Sequence, residues 1–174
     1  MFSHLILTVI SDDKPGVVEA IANVVSKHEG NWLESRLAQL AGKFAGVIRV
    51  TVPEEQKDAL IVQMAALQNR DIGVTVDTYR ETPHVTPHKQ ASFHAVGPDR
   101  LGIVWELSQA FARSQINLAE LETKLSSMAY SGEPLFEACG QLEIPIDIDL
   151  QSIHDTLDTI ADALALDISL NEKE

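Results

Sequence analysis

Two stretches decide the fold: SDDKPGVV at residues 11–18 and GPDRLGIV at residues 97–104. Each follows a short apolar run typical of a buried strand and opens a run with helical spacing of aliphatic residues. When the two stretches are aligned at an offset of 86 residues, Asn31 also falls on Asn117. A repeat of this kind predicts two domains built on one plan.

Each half is predicted to contain six elements in the order strand, helix, strand, strand, helix, strand. In the first half the strands cover residues 5–10, 31–40, 44–52 and 74–76, and the helices cover residues 17–25 and 54–68. In the second half the strands cover residues 91–95, 117–126, 135–144 and 166–170, and the helices cover residues 103–111 and 153–160. This order predicts an α+β fold of two ferredoxin-like βαββαβ domains, each an antiparallel sheet with both helices on one face.

The proline-containing stretch RETPHVTPHKQ separates the two halves. Proline removes a backbone donor and biases the residue before it toward extended geometry, which is typical of a semi-rigid linker. We therefore expect a first domain at residues 1–80, a linker at 81–90 and a second domain at 91–174.

Composition argues against several classes of function. The net charge is −13, from 26 acidic and 13 basic residues, and the cations of the first half are scattered, so direct nucleic-acid binding is disfavoured. A single cysteine, Cys139, rules out an intramolecular disulfide and favours a small apolar strand residue over a zinc ligand. No leader or membrane-spanning segment is evident, so we expect a cytoplasmic protein without metal or cofactor.

The two aligned turns suit the charged end of an amino acid. A strand that runs into a helix leaves amide N–H groups unpaired at the helix start, where a carboxylate fits. Gly16 and Gly102 would allow close approach, and Asp12, Asp13 and Asp99 could attract an ammonium group. Asn31 and Asn117 could each supply a donor and an acceptor, so that these groups together clamp the zwitterion.

A purely structural interpretation uses the same residues. Asp13 or Asp99 could cap a helix, Pro15 suits a first helical turn, and Gly16 could permit tight packing. Asn31 follows a glycine and could belong to an ordinary turn.

The repeated unit, the Asp-x-x-Gly turn and the Asn at the start of the second strand resemble the ACT domain, a family of small-molecule sensors most often specific for amino acids. The stretch SRLAQLAGKFAGVIRV after GNWLE, residues 30–50, is similar to the glycine cleavage system transcriptional repressor family. That resemblance implies two ACT domains that engage a DNA-binding activator and do not read DNA themselves. The predicted ligand-binding residues are Asp12, Asp13, Lys14, Pro15, Gly16 and Asn31 in the first copy and Pro98, Asp99, Arg100, Leu101, Gly102 and Asn117 in the second.

The two copies differ at the turn. Asp12 of the first copy corresponds to Pro98 of the second, so the second turn lacks one carboxylate. We therefore expect the first copy to bind ligand better.

Three other features are interpreted as structural. His84 and His88 lie in the predicted linker, where a metal site is disfavoured, and Asp147 and Asp149 suit the start of the last helix rather than acid–base chemistry. Trp105 falls off the apolar stripe of its helix, which fits either partial exposure or a contact with the first domain or a second subunit.

The function expected is non-enzymatic: binding of a small amino acid, with glycine as the candidate, and repression of glycine cleavage genes through a DNA-binding activator. Occupancy would be transmitted through domain or subunit pairing, including a homodimer. Three alternatives stay open, namely a stand-alone sensor that controls an enzyme, a small enzyme on the same fold, and a structural interaction module without ligand.

Overall fold

The structure is a computed structural model that describes residues 1–79, 88–128, 131–148 and 150–172. The chain forms two compact units, one in each half. The first contains β1 (Phe2–Asp12), α1 (Val17–Lys27), β2 (Asn31–Leu40), β3 (Lys43–Pro53), α2 (Lys57–Ala66) and β4 (Ile72–Thr78). The second contains β5 (His88–Pro98), α3 (Ile103–Arg113), β6 (Asn117–Ser127), β7 (Pro134–Pro145), α4 (Leu150–Leu164) and β8 (Asp167–Glu172).

Each unit has one four-stranded antiparallel sheet with the same topology. The strand order is β2-β3-β1-β4 in the first and β6-β7-β5-β8 in the second. The first strand of each unit therefore lies between the third and the fourth, the ferredoxin-like arrangement. The predicted fold class is confirmed.

Strand alternation places the core between each sheet and its helices. In β1 every second side chain is buried, with Leu5, Leu7 and Val9 at most 1% exposed. Residues of α1 and α2 such as Ile21 and Leu60 cover that face of the sheet. In the second core Phe93 and Phe111 meet edge to face, with ring centroids 5.2 Å apart.

Several boundaries differ from the sequence-based prediction. The predicted helix at residues 54–68 is divided, because short 3₁₀ helices at Glu54–Gln56 and Leu67–Arg70 flank α2. Strand β5 begins at His88, so residues 88–90 of the predicted linker belong to a strand, whereas residues 81–87 lie outside the described residues. The division at residues 80 and 91 stays a prediction.

The side chain of Cys139 and the length of the helices both bear on function. Cys139 lies in β7 as a strand residue, and its side chain is exposed on the sheet face away from the helices. None of the helices in the described ranges is long and apolar enough to cross a membrane.

Substitution of Leu60 by Ala should destabilise the first domain by about 2–5 kcal/mol, because Leu60 is fully buried and its removal leaves a cavity. Urea denaturation followed by circular dichroism would measure the loss of unfolding free energy. Val62→Ala on the same helix is the matched control, since Val62 is 65% exposed. Equal effects of the two substitutions would contradict the core assignment.

Candidate functional site

The turn between β1 and α1 depends on the backbone of one glycine. Gly16 has φ 92° and ψ 1°, in the left-handed region, and Gly102 in the second domain has φ 90° and ψ −3°. No heavy atom lies within 4 Å of a β-carbon built on Gly16. These glycines are therefore required for their backbone conformation, and Gly16 is not packed tightly against any described residue, contrary to the structural interpretation.

The start of α1 carries no protein cap. The carbonyl of Gly16 accepts the first helical hydrogen bond from the Ala20 amide at 2.9 Å, but within the described residues no side chain caps the helix. The interpretation of Asp13 as a capping residue is therefore wrong. The amides of the first turn have no partner inside the helix, so they are available to an acceptor from outside.

Backbone hydrogen bonds attach both turns to their sheets in the same way. The Asp13 amide donates to the Gly42 carbonyl at 2.9 Å, and the Asp99 amide donates to the Pro134 carbonyl at 3.0 Å. Each acceptor lies at the hairpin between the second and third strands of its domain. These hydrogen bonds use only the backbone of the two aspartates and leave their carboxylates exposed.

In the first turn, protein groups already engage two of the predicted ligand residues. The Lys43 ammonium donates to the Asp12 carboxylate, and this hydrogen bond and the charge of Lys43 lower the pKa of Asp12. The Lys14 ammonium donates to the Arg70 carbonyl at 2.6 Å. The Asp12 carboxylate is therefore paired with an ammonium group of the protein itself.

Asp13 is the remaining carboxylate of this turn. Its side chain is exposed and has no hydrogen bond or ion pair with any residue that the structure describes. Pro15, also exposed, follows before the glycine and completes the turn. An ammonium group could approach the Asp13 carboxylate from solvent while a carboxylate approaches the start of α1.

The second turn contains an internal ion pair that sequence analysis missed. Arg100 donates to both carboxylate oxygens of Glu106, at 3.0 and 2.8 Å, which raises the pKa of Arg100 and lowers the pKa of Glu106. A β-carbon built on Gly102 would lie 3.4 Å from Glu106 Oε1, so this carboxylate lies close to the helix start. At the offset of 86 the equivalent of Glu106 is Ala20, which carries no charge.

The rim of the second turn is also less polar. Pro98 pairs in register with Leu135, as Asp12 pairs with Lys43 in the first domain. Leu101 is 96% exposed. The second turn thus retains Asp99 as an exposed carboxylate but has an apolar rim.

The two asparagines lie at the far end of their domains from the turns. Asn31 pairs with Thr51, which in turn pairs with His4, whereas the turn begins eight residues further along β1 at Asp12. Eight strand residues span roughly 27 Å. Within the first domain, Asp13 and Asn31 are therefore too far apart to contact one small zwitterion together.

Asn117 has the same placement in the second domain and a partner of its own. Its register partner is Glu143, opposite Gln90, again eight residues from Pro98 along the strand. Its side-chain amide donates to a Glu143 carboxylate oxygen at 2.7 Å.

Those of the remaining candidates that the structure describes do not form a metal site. His84 and Asp149 lie outside the described residues, and His88 Nε2 lies 3.6 Å from Glu143 Oε1. In the described part of the chain no group of three or more His, Cys, Asp or Glu side chains could hold a metal ion. Trp105 is 63% exposed on the outer face of α3.

Comparisons with known proteins agree with this architecture. Residues 3–79 match the family model of the ACT domain. The fold is similar to that of an unknown protein from Galdieria sulphuraria (TM-score 0.85, 22% identity, 100% of both chains). It is also similar to the solved structure of a "putative glycine cleavage system transcriptional repressor" (TM-score 0.73, 19% identity, 100% of this chain and 99% of that one). No curated protein sequence matches this chain.

Substitution of Lys43 by Gln should raise the pKa of Asp12 toward its ordinary value, because the hydrogen bond and charge of Lys43 lower it. The pairing is complete above the ordinary pKa of an aspartate and is lost as the pH falls through the lowered value. Carboxyl ¹³C NMR titration would measure the shift. Lys14→Gln, the control, should have a smaller effect because its charge contributes least; a larger shift from Lys14→Gln would contradict the assigned pairing.

Proposed function

We propose that this chain is a non-enzymatic regulatory protein that senses a small amino acid. The proposal starts from two premises: residues 3–79 belong to the ACT domain family, and residues 88–172 repeat its fold. The observation that carries the proposal is the first turn. It combines an uncapped helix start with the exposed carboxylate of Asp13, and no protein group in the described residues occupies either.

The ligand would be held by its charged end. Its carboxylate would accept hydrogen bonds from the first-turn amides of α1, where the helix dipole favours negative charge. Its ammonium group would approach Asp13, while Asp12 and Lys14 keep their protein partners and hold the turn in place. Contacts of this kind do not select a side chain, so an amino acid as small as glycine would satisfy them.

The second turn is proposed to bind more weakly. The Glu106 carboxylate lies near the helix start, where it would repel the carboxylate of an incoming ligand. Arg100, the cation of that turn, is already bound to Glu106 through two hydrogen bonds. This pair supplies a physical reason for the asymmetry expected from the sequence.

The regulatory output is proposed to be repression of glycine cleavage genes through contact with a DNA-binding activator in the cytoplasm. The similarity in fold to the structure of the "putative glycine cleavage system transcriptional repressor" supports this direction. The net charge of −13 disfavours DNA contact by the chain itself and favours a protein intermediary. Ligand would change the affinity for the activator by favouring one arrangement of the two domains or of a homodimer.

An alternative output is control of a metabolic enzyme by the same sensor. Pull-down from extract with the amino acid present and absent would separate the two outputs. Recovery of a DNA-binding protein supports the repressor role, and recovery of an enzyme alone supports the alternative.

Substitution of Asp13 by Asn should weaken binding of glycine or of the preferred amino acid by about fivefold, the effect of removing one exposed charge pair. Isothermal titration calorimetry across the proteinogenic amino acids would identify the ligand and measure the change. Asp99→Asn is the matched control and should have a smaller effect. If none of the amino acids binds, the sensing function is wrong; if Asp99→Asn has the larger effect, the asymmetry is wrong.

Substitution of Glu106 by Ala should strengthen binding at the second turn, because the competing carboxylate is removed and Arg100 is released. Calorimetry should then show a stoichiometry that rises from about one ligand per chain toward two. Glu122→Ala, which removes an exposed carboxylate on β6, should leave the stoichiometry unchanged. Unchanged binding in Glu106→Ala would contradict the proposed blocking role.

A further inference from the structure

A second surface of the first domain differs from the rest of the chain in its charge. A groove of about 470 Å³ lies between α1 and α2, on the helical side of the domain. Ala20, Val24 and Leu67 line its floor, and each is less than 9% exposed. Its rim carries Asn23, Lys27, His28, Gln63 and Arg70.

The rim is cationic in a chain where acidic residues outnumber basic ones by 26 to 13. No carboxylate is among the described residues that line the groove. Neither Lys27 nor Arg70 has a side-chain ion-pair partner within the described part of the chain. With so many acidic residues in the protein, two unpaired cations on one groove leave a local positive potential for an anion from solution.

The fold places these cations at opposite ends of the groove. The His28 ring Nδ1 lies 3.1 Å from Gln56 Oε1, so the end of α1 meets the segment that precedes α2. The Lys14 ammonium at the start of α1 binds the Arg70 carbonyl, so the two helices run antiparallel. Arg70 therefore lies near the first turns of α1, whereas Lys27 and His28 lie at the end of this helix. The helical rise from Ala20 to Lys27 is about 10 Å.

The middle of the groove is suited to an uncharged body. The side-chain amides of Asn23 and Gln63 can donate and accept hydrogen bonds there, above the apolar floor. We propose that this groove binds a linear organic dianion, with one anionic end at Arg70 and the other at Lys27 and His28. This site is separate from the turn at Asp13 and does not depend on the proposed amino-acid sensing.

The second domain supplies an internal comparison. At the offset of 86, Lys27 corresponds to Arg113, but His28 corresponds to Ser114 and Ala20 to Glu106. Helix α4, the counterpart of α2, contains no lysine or arginine. The second domain thus has a cation, Arg113, at one end of the equivalent surface and none on α4, so the charge of the first groove is not a general consequence of the fold.

Calorimetric titration of the full chain with linear dicarboxylates from succinate to sebacate would test the proposal. Affinity should be greatest for chains that place the two carboxylates about 10 Å apart, and it should fall as salt rises. Tripolyphosphate should bind more weakly, because it lacks a carbon body for the apolar floor. Absence of binding, or equal affinity for a monocarboxylate of the same length, would overturn the proposal.

Variants would locate the site. Lys27→Gln and Arg70→Gln should each weaken binding of the best dicarboxylate by about fivefold, whereas Arg113→Gln in the second domain should leave it unchanged. Thermal unfolding would confirm that all three variants are folded. Equal loss in Arg113→Gln would overturn the assignment, and unchanged amino-acid binding in Lys27→Gln would distinguish this groove from the Asp13 turn.

Discussion

The left-handed backbone at Gly16 and Gly102 is the constraint on which the two candidate turns depend. It allows the chain to leave the end of a central strand and enter a helix that packs back across the sheet. A residue with a β-carbon adopts this conformation only at a cost, which explains why the glycine recurs in both halves. The same geometry leaves a helix start exposed beside an aspartate, and this is the feature that a carboxylate ligand would use.

Antiparallel register then determines what each domain can bring together. Because Asn31 and Asn117 begin the second strand, they lie eight residues along the central strand from the turn of their own domain. The aspartate of the turn and the asparagine of the second strand recur in both halves of the sequence, but within one domain their side chains do not come into contact. Each asparagine is the first residue of the second strand of its domain, and in the second domain its side chain donates a hydrogen bond to Glu143.

The two turns share a backbone but differ in their ion pairs. In the first, Lys43 binds Asp12 and Lys14 binds the Arg70 carbonyl, and no side chain caps the helix start. In the second, Arg100 and Glu106 pair beside the helix start. The groove between α1 and α2 also differs in charge from the equivalent surface of α3 and α4 in the second domain. The two domains thus share a fold but differ in the chemistry of their surfaces.

The repeat, the βαββαβ order and the glycine turns can be predicted from the sequence alone, because they follow from local periodicity and the backbone preferences of neighbouring residues. The net charge of the sequence also disfavours direct binding to nucleic acid. The folded chain is needed to show that Lys43 binds Asp12, that Glu106 lies near the second helix start, and that Asn31 is remote from Asp13. Glu106 could have been noticed four residues after Gly102, yet its pairing with Arg100 depends on side-chain direction. The partners of Asp12 and Lys14 are 31 and 56 residues away along the chain. Sheet register and helix packing bring these residues together, and local sequence does not encode that proximity.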